Sequence, residues 1–159
     1  MGIDSKPATV LTAVLCNPPA SGGARTLARV ELATELLGFG HVTVTNLFGL
    51  PTASCVDVAQ VGKSAEAWLA ARTEIGLALG NSDGVLLAYG LVPPTGSARK
   101  HHREQVNWVR AELRRADLPV WWVGGGPRHP SRWQRWTSRF HAELDFQGAL
   151  AASLSKVTI

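Results

Sequence analysis

Four short runs, three of them apolar and one rich in β-branched residues, constrain the fold of this 159-residue chain most strongly; segments long enough to form helices separate them. Each run has six to eight residues and is bounded by Gly, Pro, Asn or Asp, which is typical of a buried strand. Strands buried on both faces occur mainly in parallel sheets with helical crossovers, so the alternation predicts a parallel four-stranded sheet. The runs are Thr9–Cys16, His41–Asn46, Gly84–Tyr89 and Leu118–Val123.

The segments between and after these runs predict the helices. The residues after Phe146 are small and weakly patterned, and we expect them to form a packed or frayed tail. Together the elements predict one domain over residues 1–159, with a core of about 9–146. Its fold class is α/β, a three-layer α/β/α sandwich with strand order 2-1-3-4. The predicted helices are Arg25–Leu37, Ser64–Leu79, Arg99–Arg115 and Ser131 to about Glu143, with a loop through Pro51 and Ser54 before the second.

The composition is that of a packed globular domain, with 45% hydrophobic and 18% charged residues. No apolar run approaches the ~20 residues of a membrane span. The first ten residues lack the basic start and long apolar stretch of a signal peptide. We expect Cys16 and Cys55 to be buried thiols in a cytoplasmic protein.

Several familiar kinds of site are missing from the sequence. Gly124-Gly125-Gly126-Pro127 is not a phosphate-binding P-loop, and neither a G-x-G-x-x-G nor a G-x-S-x-G motif is present. Two cysteines are too few for an iron–sulfur cluster or a Cys-based zinc site, and no His–Cys–carboxylate group has metal spacing. These observations argue against kinases, dinucleotide enzymes and serine or zinc hydrolases. We expect neither a metal nor a cofactor.

A polar or aromatic residue stands at or just beyond the end of each predicted strand. Asn17 follows the first strand, Asn46 ends the second, Tyr89 ends the third, and His129 follows the fourth after a glycine-rich turn. In open α/β sheets, ligands bind beyond the carboxyl ends of the strands. The sequence therefore predicts a site at that edge of the sheet.

Positive charge is concentrated in the second half of the chain. Ten of the sixteen Lys and Arg residues lie in Arg99–Arg139. On a helix, Arg99, Arg103, Arg110 and Arg114 fall within about 60° of one another. Such a basic face with interleaved aromatics is typical of nucleic-acid-binding proteins. The alternative is a helix face that is merely solvated.

The motifs at the strand ends resemble those of a known family. LCNPPAS, VTNLFGL, LLAYG and GPRHPS, in this order, resemble the M-L-N-P-S, N-L-F-A, W-G and P-R-H-P motifs of a bacterial domain family of unknown function. The likeness covers about Val10 to Pro130. The chain differs from that family at Ser21–Arg25, where members carry a pair of acidic residues.

The same series also resembles, more remotely, the uracil-DNA glycosylase superfamily. That resemblance implies that Asn17 holds the attacking water and that His129 stabilises the departing base, as the two catalytic residues. It implies that Asn46 reads the base edge. Stacking on the base would come from Phe48, Tyr89 or Pro18.

The resemblance further implies contacts to DNA. Trp133 occupies the position of the residue that intercalates into the base stack. We expect the nucleic-acid backbone to be contacted by Ser97, Lys100, Arg103, Arg110, Arg128, Ser131 and Arg132.

These observations predict a protein that recognises a nucleobase. The leading hypothesis for its reaction is hydrolysis of an N-glycosidic bond. The alternatives are a non-catalytic nucleic-acid or nucleotide-binding protein on the same fold, or an enzyme acting on free nucleosides. The expected partner is therefore DNA, a nucleotide or a nucleoside, and we expect a monomer that does not bind membranes. Each motif also has a structural alternative, because Asn-Pro forms turns, Asn46 can cap the following turn, and a His before Pro is often structural.

Overall fold

The structure, a computed structural model, describes residues 7–52 and 55–159, except the side chains of Cys55 and Val56. It is an α/β fold with one five-stranded sheet in the order β2-β1-β3-β4-β5. The first four strands are parallel, and their order is the predicted 2-1-3-4. The strands are β1 Val10–Leu15, β2 His41–Asn46, β3 Gly84–Leu87, β4 Val120–Val123 and β5 Leu154–Val157.

The prediction of four strands is wrong, because β5 pairs antiparallel with β4 at the edge of the sheet. The sequence of β5, LSKV, is short and half exposed, so it carries no alternation that would reveal a strand. The free edge of β4 supplies its hydrogen-bonding partner. The C-terminal segment is thus packed, and Ala149 and Leu150 before β5 are buried in the core.

The predicted helices are present, with ends shifted by a few residues at most. A short additional helix, α2, occupies part of the predicted loop after Pro51, while Ser54 lies outside the described residues. A turn of 3₁₀ helix, Pro130–Arg132, precedes α5. The helices are α1 Ala24–Leu36, α2 Cys55–Val61, α3 Glu66–Gly80, α4 Ala98–Ala116, α5 Trp133–Phe140 and α6 Phe146–Ser153.

The hydrophobic residues form a core on each face of the sheet. On one face, Val14 of β1 belongs to a cluster with residues of α3 and α4, including Ile75 and Leu113. On the other face, Leu11, Ala13 and Leu15 pack with residues of α1, α5 and α6. Both faces of β1 are therefore covered, as its uninterrupted apolar sequence requires.

No helix in the described part of the chain is both long and apolar enough to cross a membrane.

Candidate functional site at the carboxyl edge of the sheet

The carboxyl ends of the four parallel strands lie along one side of the sheet, which we call the carboxyl edge. Asn46 is the partner of Leu15 in the β1–β2 register, so Asn17 and Asn46 leave neighbouring strands at this edge. Tyr89 follows β3. The loop after β4 returns toward Gly90, where a Cβ atom would lie 4.0 Å from the Cβ of His129. Each of these residues is therefore at the predicted edge.

A cavity of about 340 Å³ opens between the loop after β3 and one face of α4, and we call it the α4 cleft. Of the predicted site residues, only Tyr89 and Arg103 line it; Asn17, Asn46 and His129 do not. Its lining is Tyr89, Gly90, Leu91, Pro93, Arg99, His102, Arg103, Val106, Asn107 and Pro127.

Tyr89 and His102 form the buried inner part of the α4 cleft. Tyr89 is 6% exposed and His102 is 7% exposed, and their rings meet edge to face with centroids 6.1 Å apart. Neither side chain makes a hydrogen bond within the described part of the chain, and neither has a fully buried unpaired polar atom. Their polar atoms are therefore accessible at the cleft.

Both of these groups are neutral near pH 7, and burial shifts each pKa further from that value. Desolvation raises the pKa of Tyr89, and the nearby Arg110 charge opposes this shift in part. Desolvation lowers the pKa of His102 to about 4. The cleft thus offers a phenol hydroxyl and a neutral imidazole, each able to donate or accept a hydrogen bond.

The mouth of the cleft is positively charged. Arg99 and Arg103 are exposed and lie one helical turn apart on α4. No carboxylate is among the described residues that line the cleft. Glu104 is on the same helix, and its Oε1 atom lies 3.8 Å from Nζ of Lys100. This ion pair partly neutralises the positive charge of Lys100.

Sequence reasoning overlooked His102 as a site residue, although a signal was present. Arg99, His102, Arg103 and Val106 have the spacing i, i+3, i+4, i+7, which places them on one helical face. The pattern mixes charged, polar and apolar residues, so it does not show by itself whether that face meets the core, solvent or a cleft.

Asn17 holds two loops together. Its Nδ2 atom donates to the hydroxyl of Thr52 and, at 3.2 Å, to the carbonyl of Thr52. In the same region Thr52 N donates to the carbonyl of Pro18 over 3.0 Å. These contacts support the turn-forming alternative for Asn17, because its amide nitrogen is used within the protein.

Phe48 does not fit the stacking role. It is fully buried, and its ring packs against Trp68 with centroids 4.8 Å apart. A ring in that position is not open to a ligand, so stacking of Phe48 on a base stays a prediction without support from its burial. Asn46, which the resemblance assigns to the base edge, has an unsatisfied side-chain atom. Its Oδ1 atom is buried without a hydrogen-bond partner in the described part of the chain.

His129 is half-buried and its tautomer is set by the following turn. Its Nδ1 atom accepts a hydrogen bond from the backbone N–H of Ser131 over 3.1 Å, so the neutral ring carries its proton on Nε2. Desolvation lowers the pKa of His129, and the charges of Arg132 and Arg29 lower it further. The residue is therefore a neutral imidazole whose Nε2–H is a hydrogen-bond donor.

Trp133 does not fit the role of an intercalating residue. It is fully buried, and its Nε1 donates to the carbonyl of Arg128 over 2.8 Å. Inserting its ring between bases would break this bond and empty part of the core, so intercalation by Trp133 stays a prediction without support from its packing.

Arg128 is also used largely within the protein. Its Nη2 donates to the carbonyl of Gly124 over 3.1 Å, and its guanidinium lies 5.2 Å from the centre of the Trp136 ring. These contacts hold the turn after β4 in place. The other predicted backbone-contact groups in this region are Ser97 and Arg132, which are exposed, and Ser131, whose hydroxyl lies 2.8 Å from Nδ1 of His129.

The described residues contain no group of three or more His, Cys, Asp and Glu side chains arranged to hold a metal ion. The site's chemistry is that of neutral hydrogen-bonding groups inside a cleft and guanidinium groups at its mouth. In comparisons with protein-family models, curated proteins and solved structures, the chain matches none of them.

Proposed function

We propose that this protein binds a negatively charged, nucleobase-bearing ligand, a nucleic acid or a nucleotide, at the carboxyl edge of its sheet. The observation that carries the proposal is the α4 cleft, whose mouth has two exposed guanidinium groups and whose interior has two aromatic rings. The motif resemblance adds the proposal that the fold is a three-layer sandwich of the uracil-DNA glycosylase-like kind.

The residue types of the cleft match the two halves of such a ligand. Guanidinium groups bind phosphate through several N–H donors and remain charged at all physiological pH values. Bases are held in proteins by aromatic and apolar surfaces together with a few hydrogen-bonding groups. The basic character of α4 beyond the cleft supports a longer ligand, because Arg110 and Arg114 extend the same face.

Fluorescence anisotropy with labelled single-stranded oligonucleotides, measured across a series of salt concentrations, tests the proposal. Binding should weaken steeply with salt, and Arg103→Gln should reduce the slope by about 0.7 if it removes one phosphate contact. Arg115→Gln is the matched control, because it makes the same charge change about 18 Å further along α4. The proposal fails if neither oligonucleotides nor nucleotides bind at low salt.

Hydrolysis of an N-glycosidic bond is a second candidate function, and the state of His129 favours it. A neutral imidazole with its proton on Nε2 is a donor suited to stabilising negative charge on a departing base. The engaged amide of Asn17 does not add support for the water-holding role. This candidate therefore depends on His129.

A panel of modified-base oligonucleotides under single-turnover conditions tests this second candidate. If base release occurs, His129→Ala should lose about 2.7–4 kcal/mol of transition-state stabilisation, the range for one such donor. His41→Ala is the control, because His41 begins β2 at the opposite edge of the sheet. Absence of base release from every substrate would exclude the reaction for that panel while leaving the binding proposal in place.

A further inference from the structure

We propose that the α4 cleft holds a single nucleotide unit, with its phosphate monoester at Arg99 and Arg103 and its base against Tyr89 and His102. This inference rests on the proposed function and names the ligand of that site. The same chemistry has two sources, a free nucleoside monophosphate or the phosphorylated end of a nucleic-acid strand.

The size of the cleft limits the ligand. Its volume of about 340 Å³ is near the lower end of the roughly 300–1,000 Å³ range of small-molecule sites. A cleft of this size accommodates one base with its sugar and phosphate.

The mouth of the cleft is suited to a phosphate group that carries two negative charges. Arg99 and Arg103 lie near the start of a 19-residue helix whose first turn contains no acidic residue. The positive end of the helix dipole adds to their charge. Ser97, at the N-cap, makes no side-chain capping hydrogen bond, so its hydroxyl does not block the first-turn N–H groups.

The interior of the cleft is suited to a planar group with hydrogen-bonding edges. The side chains of Tyr89 and His102 are more than nine-tenths buried and make no hydrogen bond within the described residues. Because their polar atoms are not fully buried, these side chains remain open to hydrogen bonds with a ligand that displaces water from the cleft. Leu91, Val106 and Pro127 provide apolar walls beside them.

The exposed Asn107 adds selectivity to this arrangement. Its amide is both a donor and an acceptor, and it lines the same cleft. With the phenol and the imidazole, it gives three neutral groups that can read a base edge. In this arrangement the guanidiniums bind the phosphate and the three neutral groups bind the base.

Isothermal titration calorimetry with the four common ribonucleoside 5′-monophosphates, and with the corresponding nucleosides, tests the inference. We expect at least one monophosphate to bind and its nucleoside to bind about tenfold more weakly or worse, because charge-assisted hydrogen bonds are lost. Arg103→Gln should lower the affinity for the monophosphate by about tenfold and leave the affinity for the nucleoside unchanged. Arg115→Gln, at the far end of α4, should change neither.

Variants inside the cleft test the position of the base. Tyr89→Phe and His102→Phe keep a ring in place but remove hydrogen-bonding atoms, so each should change the preference among the four bases several-fold. Because His102→Phe alters a buried site, its circular dichroism spectrum and thermal unfolding are compared with those of the parent. If His102→Phe does not fold, Tyr89→Phe and the exposed Asn107→Ala still test base recognition.

Oligonucleotides with and without a 5′-phosphate distinguish the two sources. If the phosphorylated strand binds more tightly, and Arg103→Gln abolishes the difference, the ligand is a strand end. If the free monophosphate binds strongly and the strand's phosphate does not change its affinity, the ligand is a free nucleotide. Inorganic phosphate binding as tightly as every monophosphate would overturn the inference. If strands bind in a salt-dependent way, but no monophosphate binds and a terminal phosphate does not change the affinity, the inference is overturned and the proposed function stands. If none of these ligands binds, both the inference and the proposed function are contradicted.

Discussion

The side-chain amide of Asn17 donates to both the hydroxyl and the carbonyl of Thr52, which joins the loop after β1 to the loop after β2. Thr52 is 5% exposed, so these bonds are made largely out of water. A parallel bridge between Pro19 and Thr52 lies beside them. The Asn-Pro motif thus acts as a connection between two loops of the carboxyl edge.

Replacing Asn17 by alanine should lower the free energy of unfolding by about 1–3 kcal/mol, because hydrogen bonds to a buried partner are lost. Chemical denaturation measures the change. Asn81→Ala is the control: the side chain of Asn81 is exposed and its amide donates to the carbonyl of Leu77 in the last turn of α3, so its loss should cost about 0.5 kcal/mol. Equal stability of the Asn17 variant and the parent would contradict the structural role.

The burial of His102 predicts a dependence of stability on pH. Its pKa is lowered from 6.5 to about 4, so the unfolded chain binds a proton between these values while the folded protein does not. The free energy of unfolding contributed by this group is therefore fully present above pH 6.5 and decreases as the pH falls toward 4. The loss is on the order of 3 kcal/mol, at about 1.4 kcal/mol per pKa unit.

Denaturant unfolding at a series of pH values tests this dependence. His102→Phe removes the titrating group and keeps a ring against Tyr89 and Trp68. The variant should lose less stability than the parent between pH 6.5 and pH 4. Parallel curves for the two proteins across that interval would show that His102 titrates normally.

Gly124 and Gly125 provide a matched pair of substitutions in the turn before His129. Both have positive φ angles, of 69° and 81°, so alanine at either position costs about 1 kcal/mol in backbone strain. A Cβ atom at Gly124 would also lie 2.6 Å from the Trp136 ring, whereas at Gly125 nothing lies within 4 Å.

Gly124→Ala should therefore be more destabilising than Gly125→Ala, by about 1–3 kcal/mol, because the Trp136 ring must move. The Arg128 guanidinium lies against the Trp136 ring, and Arg128 immediately precedes His129 in the chain. We therefore also expect the NMR signals of the His129 ring to shift in Gly124→Ala. Differential scanning calorimetry provides the stabilities. Equal destabilisation by both substitutions would mean that Trp136 adapts without cost.

The C-terminal segment should contribute strongly to stability. Leu150 on α6 is fully buried, so Leu150→Ala should cost about 2–5 kcal/mol through lost packing and the cavity left behind. Leu144, just before α6, is 45% exposed, and its replacement by alanine should cost about 1 kcal/mol or less. Urea denaturation of the two variants makes the comparison, and a small effect at Leu150 would indicate that α6 does not belong to the core.

Much of the fold follows from local pattern. The run VLTAVL of β1 and the β-branched HVTVTN of β2 are strands in the structure, because β-branched side chains lose little on an extended backbone. The residues of β1 also gain from burial, since all but the first are buried. Parallel pairing then sends Asn17, Asn46, Tyr89 and His129 to one edge without further information. The short β5 lacks such a pattern, since its residues are half exposed and its place depends on the free edge of β4.

The sequence by itself thus determined the four parallel strands, their order and the edge at which the polar residues lie. The tertiary structure alone decided which side chains near that edge are buried and which line the α4 cleft. Phe48 and Trp133 turn into the cores, and His102 meets Tyr89 across the α4 cleft, because each depends on contacts between residues distant in the chain. Hydrophobic periodicity reports the local backbone period, whereas the direction of a loop or helix side chain is set by the packing of several elements at once.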